Sequence, residues 1–125
     1  MILKEFFKRL IPQKFETPEK RQAVAPMLDL LEQGQIKAAE EYMARFVLKI
    51  CSEIENGILD PKQGDAYISY LYITLHDEFS SISFSQNVHD MFGEGMCLHQ
   101  YGSKHPPNIN LIKRLANELL ENNIN

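Results

Sequence analysis

Residues 66–79, AYISYLYITLHDEF, decide the fold. Tyr67, Ile68, Tyr70, Tyr72, Ile73 and Thr74 are the aromatic and β-branched types that suit a strand, and the SSISFS that follows could supply its hairpin partner. Two features favour a helix instead. Asp60-Pro61 just upstream pairs a capping carboxylate with a proline whose missing N–H costs nothing at a first helical position. The stretch is also longer than an ordinary strand. The sequence therefore predicts a helix from Pro61 to about Phe79, with a short β-hairpin around residues 67–85 as the competing local reading.

Upstream, Ile36, Ala39, Met43, Phe46, Val47, Ile50 and Ile54 share one helical face, and Ala44, Leu48 and Cys51 widen it. So broad an apolar arc over about Ile36–Asn56 belongs to a central helix touched on two sides. Thr17, Pro18 and Glu19 form a start signal for the helix before it. Pro26 predicts a kink or a division into two segments, and Gly34 a left-handed cap. The short Gln33-Gly34-Gln35 join makes the two helices an antiparallel hairpin. The run LLEQGQIKAAEEYMARFVL resembles a tetratricopeptide-type hairpin in its turn glycine and the alanine five residues later. No second copy follows at a spacing of about 34 residues, so a generic helical hairpin is expected.

Downstream, Val88, Met91, Phe92, Met96 and His99 mark a further helix from Ser83 to about Gln100. Gly93 and Gly95 within it predict a close helix crossing or a local break. His105-Pro106-Pro107 ends an extended, exposed loop. Asn108 or Asn110 then caps a last helix bearing Leu111, Leu115 and Leu119, with Asn122–Asn125 frayed. At the other end, Leu3, Phe6, Phe7, Leu10 and Ile11 form an apolar stripe opposite charged residues. This gives an N-terminal amphipathic helix over 1–11 and a linker over 12–16. The expected architecture is all-α, a compact bundle of five or six helices in one domain spanning 1–125.

The chain of 125 residues is 44% apolar and 24% charged, ordinary values for a globular domain with its own core. No apolar run approaches the roughly 18 residues of a membrane span, and the mixed charge of residues 1–11 does not match a secretory signal. The cytoplasm is the default expectation. Cys51 and Cys97 form no CxxC pair and are expected as reduced core residues.

The net charge of −4 conceals an asymmetry. Residues 1–22 hold six basic and three acidic side chains, whereas residues 53–94 hold eight acids against Lys62 alone. A field of that sign repels phosphate backbones and attracts basic partners, which disfavours nucleic-acid binding by the body of the domain.

Candidate chemistry is sparse. His76-Asp77 and His89-Asp90 resemble the His-Asp pairs of HD-type phosphohydrolases, which implies a small metal-dependent hydrolase using those four residues. That pattern needs a further downstream aspartate, and none follows Asp90. Cys51, His89, Cys97 and His99 lack zinc-site spacing, and Gly102-Ser103-Lys104 lacks the form of a phosphate loop. No catalytic residue, metal or cofactor is predicted.

Tyrosines among carboxylates combine rigid aromatic area with charges that steer a basic partner. The predicted function is a non-enzymatic protein-interaction domain in which Glu53, Glu55, Asp60, Asp65, Tyr67, Tyr70, Asp77 and Glu78 bind a basic protein. A bacterial immunity or inhibitor protein is a concrete version. A homo-oligomeric subunit docking through residues 3–11 is a further alternative.

Overall fold

The computed structural model describes residues 17–95 and 109–124. They form five helices, α1 (Pro18–Glu32), α2 (Ile36–Glu55), α3 (Pro61–Glu78), α4 (Gln86–Gly95) and α5 (Ile109–Ile124), with no strand among them. The fold is an all-α bundle. The expected N-terminal helix over 1–11, the 12–16 linker, Cys97, His99 and the His105-Pro106-Pro107 loop lie outside the described residues.

The segment that decides the fold is helical throughout α3. Asp60 accepts a hydrogen bond from the Gln63 backbone N–H at 2.8 Å, while the Gln63 side chain accepts from the Asp60 N–H at 3.0 Å. Two backbone donors that a helix start leaves unmet are thus satisfied reciprocally. The hairpin over 67–85 does not form, and residues 80–82 make a turn instead. Burial explains the outcome for the β-favouring side chains. Ile68, Tyr70, Leu71 and Leu75 fall at helical spacing and enter the core, and tertiary packing overrides their strand preference.

Helix α1 begins as predicted, with the Thr17 hydroxyl accepting from the Lys20 backbone N–H at 3.2 Å. It continues through Pro26 as one helix and does not divide. Gly34, at φ +75°, lets the Gln35 N–H reach Leu30 O and the Gly34 N–H reach Leu31 O, at 2.9 and 3.0 Å. Gly57, at φ +76°, repeats the arrangement after α2, with Ile58 N–H on Glu53 O and Gly57 N–H on Ile54 O. Both ends are left-handed glycine caps that satisfy otherwise orphaned carbonyls.

Helix α2 touches all four others, the central position its broad apolar arc predicts. Its buried Ala39, Met43, Ala44, Val47, Ile50 and Cys51 meet Met27 and Leu31 of α1, Leu71 of α3, Val88, Met91 and Phe92 of α4, and Ile112, Ala116 and Leu119 of α5 within one core. Each large side chain removed from water there contributes about 1.5–3 kcal/mol. A buried acid crosses the core boundary: Glu40 of α2 accepts the Ser85 backbone N–H at 3.0 Å and so ties the start of α4 to the central helix.

Two expectations need correction. Gly93 is exposed and a side chain there would meet nothing within 4 Å, so no close crossing occurs at that point. The close approach is at Gly64, where a Cβ would lie 2.6 Å from Ile54 Cδ1 and 3.1 Å from Ile50 Cγ2. Helix α5 also runs to Ile124, past the point where fraying is expected; it starts at Ile109, so Asn110 lies inside it, while Asn108, the other expected cap, lies outside the described residues.

Candidate functional site

Along one side of α2, Tyr42, Phe46, Lys49, Ile50 and Glu53 recur at helical spacing and line an open groove of about 620 Å³. Glu19, Gln22 and Ala23 of α1 form one wall, and Leu59 with Tyr67 of α3 form the other. The floor is aromatic. Phe46 stands 6.4 Å from Tyr42, the rings nearly parallel, and 6.2 Å from Tyr67 at a tilt of 56°. These separations are those of favourable aromatic pairs.

Tyr42 is fixed by its hydroxyl, which donates to the Ala23 carbonyl of α1. Burial disfavours the phenolate and raises its pKa, so the group remains a donor at neutral pH. Phe46 is nearly buried, whereas Tyr42 and Tyr67 stay partly exposed. At the rim, Glu19 and Glu53 alternate with Arg45 and Lys49. Ile58, next in sequence to Leu59, is 67% exposed and is the large apolar side chain most open to water among the described residues. The groove thus combines a concave aromatic floor with a charged rim.

The eight predicted partner-binding residues do not share one face. Glu53 and Tyr67 line the groove. Glu55 instead pairs with Lys113 of α5 at 3.1 Å, and Asp60 caps α3. Asp65 accepts from the Ser69 hydroxyl at 2.9 Å. Tyr70 is buried at 6% exposure among the core residues Ile68 and Leu71, which corrects its expected place on the surface. Asp77 is half-buried and Glu78 exposed at the far end of α3.

His76 and His89 do come together, on a separate small cavity of about 80 Å³ bounded mainly by Tyr72, Leu75, Phe79, Ile82 and Phe84. The His76 ring meets Tyr72 edge to face at 5.8 Å. Their neighbouring acids do not complete a metal centre. Asp90 accepts from the Gln86 side chain at 2.9 Å, and among the described residues no three His, Cys, Asp or Glu side chains converge to hold an ion. Cys51 is fully buried, and desolvation first, then the nearby Glu55 carboxylate, push its thiol up to about 11. A thiol so far from ionisation is a poor nucleophile.

The sequence reading does not single out the α2 half of the groove, Tyr42, Arg45 and Lys49. Phe46 is in the core as its stripe predicts and also lines the groove, and the acidic excess of residues 53–94 carries no information about α2. The available signal was the aromatic pair at i and i+4, Tyr42 and Phe46, extending an arc already wider than a core-facing helix needs. No protein-family model, curated protein or solved structure matches the chain.

Proposed function

We propose that this domain is a non-enzymatic protein-interaction module whose recognition surface is the groove between α1, α2 and α3. The observation that carries the reading is the pair Tyr42 and Tyr67, partly open to water on either side of the buried Phe46 ring, at the floor of a concavity large enough for several side chains. Aromatic rings fixed by packing lose little entropy on binding and supply most of an interface's energy. The occupant they suit is an amphipathic helix, laid in with its apolar face down.

Charge supports a basic occupant. Residues 53–94 create a negative field that raises the encounter rate with a positively charged partner, while the rim itself is balanced, Glu19 and Glu53 against Arg45 and Lys49, and sets register more than affinity. An immunity or inhibitor protein works in this way, occluding a basic target by shape and charge without chemistry of its own.

The test is affinity capture from the source cell at low salt, comparing the unaltered chain with Tyr67→Ala and Glu53→Lys. The reading expects a basic protein that both substitutions release and that rising salt weakens. Capture that survives both substitutions, or that ignores salt, would overturn it.

A further inference from the structure

Between Tyr72 and His89 the sequence spaces three aromatic side chains and two histidines, and the fold gathers them around one space. Tyr72, Phe79 and Phe84 wall the small cavity of about 80 Å³ towards the C-terminal end of α3, and the exposed His76 and His89 complete it. It shares no residue with the groove. We propose that this cavity binds a quaternary ammonium group, the trimethylammonium head of a choline-like molecule or of a trimethylated lysine. The proposal is independent of the groove reading.

The walls are fixed in place before any ligand arrives. The Tyr72 ring packs 5.1 Å from the buried Phe92 and meets His76 edge to face at 5.8 Å. Phe79 closes α3 with its N–H on Leu75 O at 2.9 Å, and its own carbonyl accepts from the Ile82 N–H at 3.1 Å. Phe84 precedes Ser85, whose N–H is held by Glu40 at 3.0 Å. All three rings pack against the core yet stay half-buried. The faces of aromatic rings carry negative charge density, so several of them around one space attract a cation.

The lining selects among cations. No aspartate, glutamate, lysine or arginine lines the cavity among the described residues. A primary ammonium or a guanidinium brings several N–H donors that need acceptors, and stripping their water costs more than a mostly apolar wall returns. A quaternary ammonium has no N–H to satisfy and presents only methyl groups.

The surrounding field favours positive charge and disfavours an anion. Asp77, Glu78 and Asp90 each adjoin a lining residue in sequence. Lys62, the single basic residue of 53–94, lies about 20 Å from His76 along α3, well beyond the ~8 Å screening length of physiological salt.

Size narrows the ligand further. Sites for whole drug-sized molecules start at roughly 300 Å³, whereas this space matches about two or three water molecules. It takes one compact head and leaves the remainder of the ligand in water, past the exposed Ser80, His76 and His89.

The test is an NMR titration of the unaltered full-length chain with choline and with its uncharged isostere, in which a tert-butyl group replaces trimethylammonium. Choline should move the amides of Phe79, Phe84 and His89 and bind at least about tenfold more tightly than the isostere. Equal affinities, or no movement of these amides with choline, would overturn the proposal. A short peptide carrying trimethyllysine separates the two sources: affinity above that of choline assigns the head to a modified protein, and affinity at or below it to a free small molecule. The same peptide with unmodified lysine should bind severalfold more weakly than the trimethylated one, and equal binding would count against the site.

Phe84→Leu keeps apolar bulk and removes a ring. It should weaken choline severalfold while leaving the isostere nearly unaffected; equal loss of both would overturn recognition of the cation by the ring. The isostere comparison uses the unaltered chain and decides the matter should this variant fail to fold.

Discussion

Helix α2 has two unlike sides. Towards α4 and α5 it joins a closed core in which Val47, Cys51, Phe92, Ile112, Ala116 and Leu119 are each no more than 2% exposed. Towards α1 and the start of α3 the same helix ends in a groove, with Tyr42 and Tyr67 left partly open to water. Stability comes from filling space, and recognition from leaving shaped space unfilled. Substitutions on the two sides should therefore separate folding from binding.

The largest effect belongs to the closed side. Phe92→Ala removes a ring 1% exposed that packs 5.1 Å from Tyr72, and it should cost about 3–5 kcal/mol in chemical denaturation. A loss below about 1 kcal/mol would show that this side is not closely packed.

Next comes a dependence on pH. Burial raises the Cys51 pKa from 9.0 to about 11, so the fold favours the neutral thiol. That contribution is fully present below pH 9 and is lost as pH rises towards 11, an effect of at most about 3 kcal/mol. Denaturation midpoints measured across this window should fall more steeply for the unaltered protein than for Cys51→Ala; parallel slopes would refute the assignment.

Glu40→Ala should cost about 1–3 kcal/mol, because it leaves the Ser85 N–H without its acceptor. Glu40→Gln, which keeps an acceptor, should recover part of that loss, and hydrogen exchange at the Ser85 amide would report the tether directly.

The smallest effect on stability is expected in the groove, where Tyr67→Ala should lower it by about 1 kcal/mol. Its effect on partner capture should nonetheless be the greatest of these substitutions. If binding instead followed stability, with Phe92→Ala the most damaging, the contrast between the two sides would fail.

Much of the fold was legible in the sequence because its signals were local. Thr17-Pro18, Gly34 and Asp60-Pro61 each act through backbone groups a few residues away, and each helix starts or stops where they indicate. The ambiguity of residues 66–79 yielded to the same capping logic. Gly64 was not legible as a contact point, since its role depends on Ile50 and Ile54 across a helix crossing.

The candidate site was less legible for a related reason. A count of charge along the chain treats Glu53, Glu55, Asp60 and Asp65 as equivalent. In the fold, one lines the groove, one pairs with Lys113, one caps a helix and one holds Ser69. Their division depends on contacts as distant as 58 positions in sequence, beyond the reach of any local pattern.

The most direct test of the groove as the recognition surface is amide chemical-shift mapping of the full-length chain against the captured partner. The largest shifts should fall at Ala23, Tyr42, Phe46, Lys49 and Tyr67. Shifts concentrated on α4 and α5, with those five amides unmoved, would contradict it.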